Sequence, residues 1–296
     1  MKIIVELFNQ RYQINNDFSW NLAIPLNFNH QQPNHFDADF ASAKPMQAGG
    51  FIGDTTQGGS CNVNELQLNP HCNGTHTETI AHICDFNAPL SLMLSELNIP
   101  SLLSCALISI TPELASQAIN SSLQSHTPES YSPEFELDDK VITRNALEQA
   151  LNSFENEQLS AVVIRTLPNE INKQDAHYHG DNQPAFFTRE AILYLNERGV
   201  EHLIVDLPSI DRLHDDGLMT CHHLFWQVIE GAHQPSPSSL INKTITELAY
   251  IDNQVIDGFY FLNLQTPAFV NDAAPSRPVL YPAELIESRD TEINSA

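Results

Sequence analysis

The sequence predicts a mixed α/β protein, and three observations carry that expectation. Residues 145–206 read as helix, strand, helix, strand. The run Leu102–Ile110 is apolar and β-rich, and two more strand-like runs lie near the C-terminus. In chain order, Ile3–Phe8 predicts a first strand. The Asn-, His- and Gln-rich stretch Asn27–Gln47 that follows predicts a long surface loop. Leu102–Ile110 predicts a buried strand, and the Ser- and Pro-rich stretch Thr111–Asp139 an irregular excursion. Asn145 with Glu148 forms a capping-box pattern ahead of Leu147, Ala150, Leu151 and Phe154, which share one helical face. That helix should lead into a strand at Ala161–Arg165. Thr188 should cap a second helix bearing Ala191, Ile192 and Leu195, which Gly199 ends before a strand at Val200–Asp206. Finally, Thr244–Ile251 and Phe259–Leu264, separated by Asp252-Asn253 and Asp257-Gly258 turn material, predict antiparallel strands.

Hydrophobic residues make up 42% of 296 positions, enough to bury a sizeable core, and we read residues 1–296 as one domain. The formal net charge of -24 opposes a phosphate backbone or an anionic membrane surface, so nucleic acid and membrane are not expected partners. Five cysteines, Cys61, Cys72, Cys84, Cys105 and Cys221, are odd in number and lack a CxxC pairing, which fits a reducing cytoplasm. The apolar start, Met1 to Val5, is too short for a signal peptide. The longest apolar neighbourhood, Ser91–Ile110, is interrupted by Glu96, Asn98 and Pro100 and is not a membrane span.

The chemistry is expected at residues 69–82, where His71, His76, Glu78 and His82 gather around an Asn73-Gly74 turn. Imidazole nitrogen and carboxylate oxygen suit zinc, manganese and iron(II), and a carboxylate can bridge two ions. The bland alternative is a polar loop with scattered histidines. Cys72 and Cys221 raise the competing idea of a metal–thiolate site, although neighbouring side chains on an extended backbone point apart. Glu247 shares a strand face with Ile245, Ala249 and Ile251 if the period is two, so its carboxylate would enter an apolar interior and need a cation. Glu65 and Glu190 lie in polar surroundings, and His177-Tyr178-His179 reads as a loop. Phe51, Phe186, Phe187 and Trp226 are candidates for an aryl pocket or for the core.

These residues resemble the cyclase family of metal-dependent hydrolases, which includes bacterial kynurenine formamidases and isatin hydrolases. The family pattern is His-x-Gly-Thr-His-x-Asp with a further His four residues on; here it reads His71, Gly74, Thr75, His76, Glu78 and His82. One residue is inserted between His71 and Gly74, Glu78 replaces Asp, and Thr79-Ile80 stands where Ala-Pro is common. Upstream, Gly53-Asp54 and the run Gly58 to Glu65 resemble the family's approach to the motif. Downstream, Cys221-His222-His223 resembles its second His segment, with His222 preferred over His223, and Thr246-Glu247-Leu248 its second carboxylate. The stretch Trp226–Thr244 looks like an inserted loop placed to cover the mouth of the site.

The resemblance implies a swivelling β/β/α cyclase-like fold, with a β-rich, barrel-like core and outer helices. It implies one or two divalent ions, Zn2+ or Mn2+. His71, His76 and Glu78 would hold one ion, and Glu78, His222 and Glu247 the other, with His82 as general acid/base. The implied reaction is hydrolysis of a carbon–nitrogen bond in a small amide or lactam, as in an arylformamidase, by a homo-oligomer, dimer or tetramer. The alternatives are an isatin hydrolase-like enzyme or another metal-dependent cyclase or lyase, and a catalytically silent metal-binding member.

Overall fold

Four runs, Leu103–Ile110, Ala161–Thr166, His202–Val205 and Thr244–Glu247, lie side by side in parallel at the centre of the molecule. They are buried on both faces. Ala106, Ile108, Val162, Ile164, Leu203 and Val205 pack into one core, while Leu107, Ala161, Val163 and Ile204 pack into another. This two-sided burial explains why the runs are continuously apolar and do not alternate. The computed structural model describes residues 2–288 apart from 8, 16, 86, 123–127 and 181, so the end of the expected first strand at Phe8 lies outside the described residues.

The parallel strands form the middle of an eleven-stranded sheet. On one side Gly258–Asn263, Val279–Ser288, Gln10–Asn15 and Lys2–Leu7 continue it antiparallel. On the other, His76–Glu78 and then Ala273–Pro275 complete it, also antiparallel. The architecture is the expected mixed α/β one, and its β-rich core is an open sheet: among the described residues no pairing joins the two end strands into a closed barrel. Helices Arg144–Ala150, Arg189–Glu197 and Thr220–Trp226 pack on one face through Leu147, Ala191, Ile192, Leu195, Phe225 and Trp226. Phe186 and Phe187 join the same core, so these two and Trp226 are packing residues, while Phe51 is half-buried.

Several local expectations are corrected. The cap of the first of these helices is Thr143, whose hydroxyl accepts from Ala146 N at 3.2 Å; Glu148 pairs with Arg144 at 2.7 Å and closes no capping box. Thr244–Glu247 and Gly258–Asn263 do not pair with each other, because each is claimed by a different neighbour. Within 111–139 a helix forms at Ala115–Ser122, with Ala115 and Ala118 in the core; residues 123–127 of that stretch lie outside the described residues. The polar stretch 27–47 is not merely surface. Gln32, Asn34 and His35 are buried in it, and the Gln32 amide ties Ala41 N at 2.8 Å to the carbonyls of Asn27, His30 and Ala41.

The cap expected at Thr188 is present: its buried hydroxyl accepts from Ala191 N at 3.2 Å and donates to Glu129 at 2.5 Å. Thr188→Ala should therefore destabilise the protein by about 1 kcal/mol or more. Urea unfolding checks it, and no shift in midpoint would show that the cap is dispensable.

Candidate metal centre

The centre is built by a strand ladder. His76–Glu78 lies between Thr244–Glu247 and Ala273–Pro275, with His76 opposite Glu247 and Glu78 opposite Ile245. Period two sends His76, Glu78 and Glu247 to one face. Thr77 goes to the other, where its hydroxyl meets that of Thr246 at 2.7 Å. Asn69 caps the short turn Pro70–Asn73 by accepting from His71 N at 3.1 Å, and Thr79 caps Ile80–Ile83, which presents His82. The helix Thr220–Trp226 supplies His222, its first turn held by Asp211, which accepts from Cys221 N at 2.7 Å and His222 N at 3.1 Å.

The four histidines share one arrangement: one nitrogen of each is tied outward and the other is turned inward. His222 Nδ1 donates to Asp211 at 2.6 Å, His71 Nε2 to Asp272 at 2.9 Å, and His76 Nδ1 to the Gly74 carbonyl at 3.0 Å. His82 Nδ1 faces Asp272 at 3.4 Å. Carboxylate and carbonyl oxygens can only accept, so the outward nitrogens carry protons; the inner nitrogens face carboxylates too, and would present lone pairs only where a cation takes the place of their protons. There, Glu78 Oε1 is 2.9 Å from His222 Nε2, and Oε2 is 3.1 Å from His71 Nδ1 and 3.8 Å from His82 Nε2. Glu247 Oε2 lies 3.5 Å from His76 Nε2, and Oε1, which accepts from Ile210 N at 2.9 Å, lies 3.8 Å from His222 Nε2.

Two fully buried atoms on this inner surface, His76 Nε2 and Glu78 Oε2, have no hydrogen-bond partner of good geometry. An orphaned lone pair and an orphaned carboxylate oxygen in one pocket suit a cation. The electrostatics agree. Burial disfavours charge on His222, yet Glu78 and Asp211 hold it well above its ordinary pKa; burial likewise opposes His71, which Asp272 and Glu78 push up to about 10. Glu78 is held well below the usual carboxylate range despite burial, because His82 and His222 face it. The cluster thus demands positive charge, and protons or a divalent ion can supply it. The ligand atoms of His71, His76 and Glu78 lie within 4.8 Å of one another, as do those of Glu78, His82 and His222, and of His71, His82 and Asp272.

All six residues named from the sequence, His71, His76, Glu78, His82, His222 and Glu247, therefore meet in space, with two adjustments. Glu247 stands closer to His76 than to His222, so it links the two expected ligand sets. His82 approaches Glu78 and His222 closely enough to be a ligand as well as an acid. His223 is buried too, but belongs to no ligand cluster among the described residues. The thiolate idea finds no support: Cys221 Sγ turns to the Phe187 carbonyl at 3.2 Å, and burial and Asp211 push its thiol well up. Burial and then Glu247 raise Cys72 as well. Glu65 is exposed and pairs with Lys44 at 3.0 Å, whereas Glu190 is held by Ser130 at 2.6 Å. His177-Tyr178 forms a two-residue strand paired with Asn34–His35. Asp211 and Asp272 were not anticipated, because each is a lone acid in an irregular segment with no local motif. The stretch 227–243 lies beside the site: His233 meets the Ile83 carbonyl at 3.0 Å and accepts from Asp85 N at 3.0 Å, just past His82.

The Cyclase family model matches residues 17–212, two thirds of the chain and the whole of the first ligand segment. The chain belongs to the cyclase family. Among solved structures, this cyclase-family protein is similar to isatin hydrolase A from Labrenzia aggregata bound to benzyl benzoate, with TM-score 0.56 and 14% identity over 90% of this chain and 94% of that one. It is also similar to a protein described as a predicted metal-dependent hydrolase from Bacillus stearothermophilus, with TM-score 0.54 and 15% identity over 89% and 98%. Isatin hydrolase A from Ralstonia solanacearum matches with TM-score 0.53 and 15% identity over 89% and 91%. At these identities the likeness is one of fold. No curated protein matches in sequence. No helix among the described residues is long and apolar enough to cross a membrane.

If Asp211 sets the tautomer and direction of His222, Asp211→Asn should weaken divalent-ion affinity by about 10–100-fold while the protein stays folded. Calorimetric titration of the metal-free variant measures this, and wild-type affinity would dismiss the role.

Proposed function

We propose that this cyclase-family protein is a metal-dependent hydrolase that cleaves a carbon–nitrogen bond of a small amide or lactam. The observation that carries the reading is the convergence of the inner ring nitrogens of His71, His76, His82 and His222 on buried Glu78 and Glu247. Zn2+ or Mn2+ fits these nitrogen and oxygen donors. His71, His76 and Glu78 would hold one ion, and Glu78, His222 and Glu247 a second. Such an ion supplies a water acidified toward neutrality and a polarised substrate carbonyl.

The protein's own groups do the rest. Glu78 and Glu247 concentrate negative charge at the floor, Asp211 and Asp272 fix His222 and His71, and the apolar core behind Ile245 excludes water. The side chains of His71, His82 and Asp272 are 23%, 25% and 28% exposed, so the site opens on their side. His82, with Nδ1 facing Asp272 and Nε2 facing Glu78 at the open side of the site, is the group we assign to deliver a proton to the departing nitrogen. An arylformamidase-like open amide is our first substrate class. The fold likeness to two isatin hydrolases favours a cyclic amide as the second reading.

The purified protein is expected to contain stoichiometric zinc or manganese, and chelation should abolish turnover of an amide and lactam panel. Elemental analysis showing no divalent metal, with activity indifferent to chelator, overturns the reading.

A second test separates His82 from the ligands. His82→Ala should keep the ions and lose about 10²–10⁴-fold in rate, whereas His76→Ala should lose metal. Metal content measured beside turnover decides it: a His82→Ala protein as depleted as His76→Ala would make His82 a ligand.

A further inference from the structure

The eleven-stranded sheet ends differently on its two sides. Beside the metal centre the last strand is Ala273–Pro275, only three residues long and closed by a proline that has no N–H to donate. At the far end it is Lys2–Leu7, six residues without glycine or proline, paired on one side with Gln10–Asn15. Among the described residues no strand pairs with its outer edge, which leaves a row of backbone N–H and C=O groups facing away from the sheet. The hairpin also precedes residues 17–212, so it lies outside the segment that the family model matches.

The side chains of this strand alternate. Ile3, Val5 and Leu7 lie half-buried against a small cluster of Tyr12, Ile14 and Phe261, while Lys2, Ile4 and Glu6 point the other way and are exposed, Ile4 at 44%. Charges usually keep an open edge from pairing. Here the two charges are opposite in sign and equally far from Ile4. If the strand pairs antiparallel with itself about a two-fold axis at Ile4, Lys2 of each copy meets Glu6 of the other, Ile3 meets Val5, and Ile4 meets Ile4. Moving the axis to Ile3 sets Lys2 opposite Ile4, and moving it to Val5 sets Glu6 there. Only the register centred on Ile4 matches charge with charge and apolar with apolar.

We propose that this edge joins two copies of the chain through an antiparallel pairing of Lys2–Leu7 centred on Ile4, which makes their two sheets continuous. The symmetry forms each Lys2 to Glu6 contact twice. The rows of Ile3 and Val5 run on across the axis, so the two small clusters around Tyr12 and Phe261 become one. A strand of unrelated sequence lacks this match and leaves Lys2 or Glu6 opposite the wrong group. The same charges that admit a second copy therefore discourage other partners.

The test is the mass of the full-length protein by sedimentation velocity across a range of concentrations at low salt. Wild type should form an assembly twice the mass of the Ile4→Lys protein, in which two like charges meet at the axis. Ile4 is exposed, so the circular dichroism spectrum of that variant should match wild type. Lys2→Glu and Glu6→Lys should each weaken the association by about tenfold, and the double variant should restore it. Restoration separates pairing between copies from the contact that Glu6 makes with Arg11 at 3.3 Å in its own chain, which the double variant also loses. Equal masses for wild type and Ile4→Lys, or a double variant as weak as the single ones, overturns the proposal. The register has its own check, made in a Cys61→Ser background because Cys61 is exposed. Mild oxidation should link two Ile4→Cys chains and leave Lys2→Cys chains unlinked; no link at position 4, or an equal link at position 2, overturns the register. A wild type that associates only after residues 289–296 are removed assigns the edge to that tail and also overturns the proposal.

Discussion

Glu78 is a carboxylate with no solvent exposure, fixed in the middle of a three-strand ladder, and the rest of the site is arranged around the need to compensate it. The ladder cannot move it outward without breaking the pairing with both Ile245 and Ala273. Positive charge has to come to the carboxylate instead, and histidines from three separate segments do so. An isolated buried carboxylate would be strongly destabilising. The position is tenable only because the helix at 220–226, the turn at 70–73 and the turn at 80–83 converge on one edge of the sheet.

That convergence is held under strain. Leu248, immediately after Glu247, has φ of 52°; Met219 and Gln227, at the two ends of the His222 helix, have 48° and 53°; Phe36 and Asp37 follow His35. None is glycine. Left-handed conformations in residues of this size are sparse in folded chains and gather where a side chain must be aimed against local preference. The parallel strands can support this because they are buried on both faces and rigid. Glu247 is the last residue of the outermost parallel strand, at a carboxyl end, where open α/β sheets place their ligands.

Much of this was legible in the sequence, and the parts that were not have a common cause. Leu102–Ile110, the Thr188 cap and the strand at 161–165 follow from local periodicity and capping, and they appear within a residue or two of the expected bounds. The ligands around Gly74 were legible because they crowd one segment, and Glu247 because period two buried an acid. Pairing partners were not: nothing local says that 244–247 takes His76–Glu78 as its neighbour and leaves Gly258–Asn263 to another strand. Asp211 and Asp272 were invisible for the same reason, since their roles exist only after distant segments have met. The stretch 27–47 was misread as surface loop because a polar neighbourhood is usually exposed, whereas here the Gln32 amide satisfies enough carbonyls to bury part of it.

The two outer carboxylates divide the centre into unequal halves. Asp211 is fully enclosed and accepts from Tyr131 at 2.7 Å, two backbone N–H groups and His222, so burial fails to raise its pKa and it is held below its ordinary value. It can do little but hold His222 in place. Asp272, by contrast, is more than a quarter exposed and is shared by His71 and His82, whose rings stack at 4.2 Å. One carboxylate serving two imidazoles at unequal distances, 2.9 and 3.4 Å, leaves the second more weakly tethered than the first. A ligand needs a fixed direction, while a group that takes up and delivers a proton must turn between two partners. The firmer hold on His71 and the looser one on His82 match those requirements. Under the proposed roles, the inner wall would bind the ion and the mouth would transfer the proton, with Asp272 joining them.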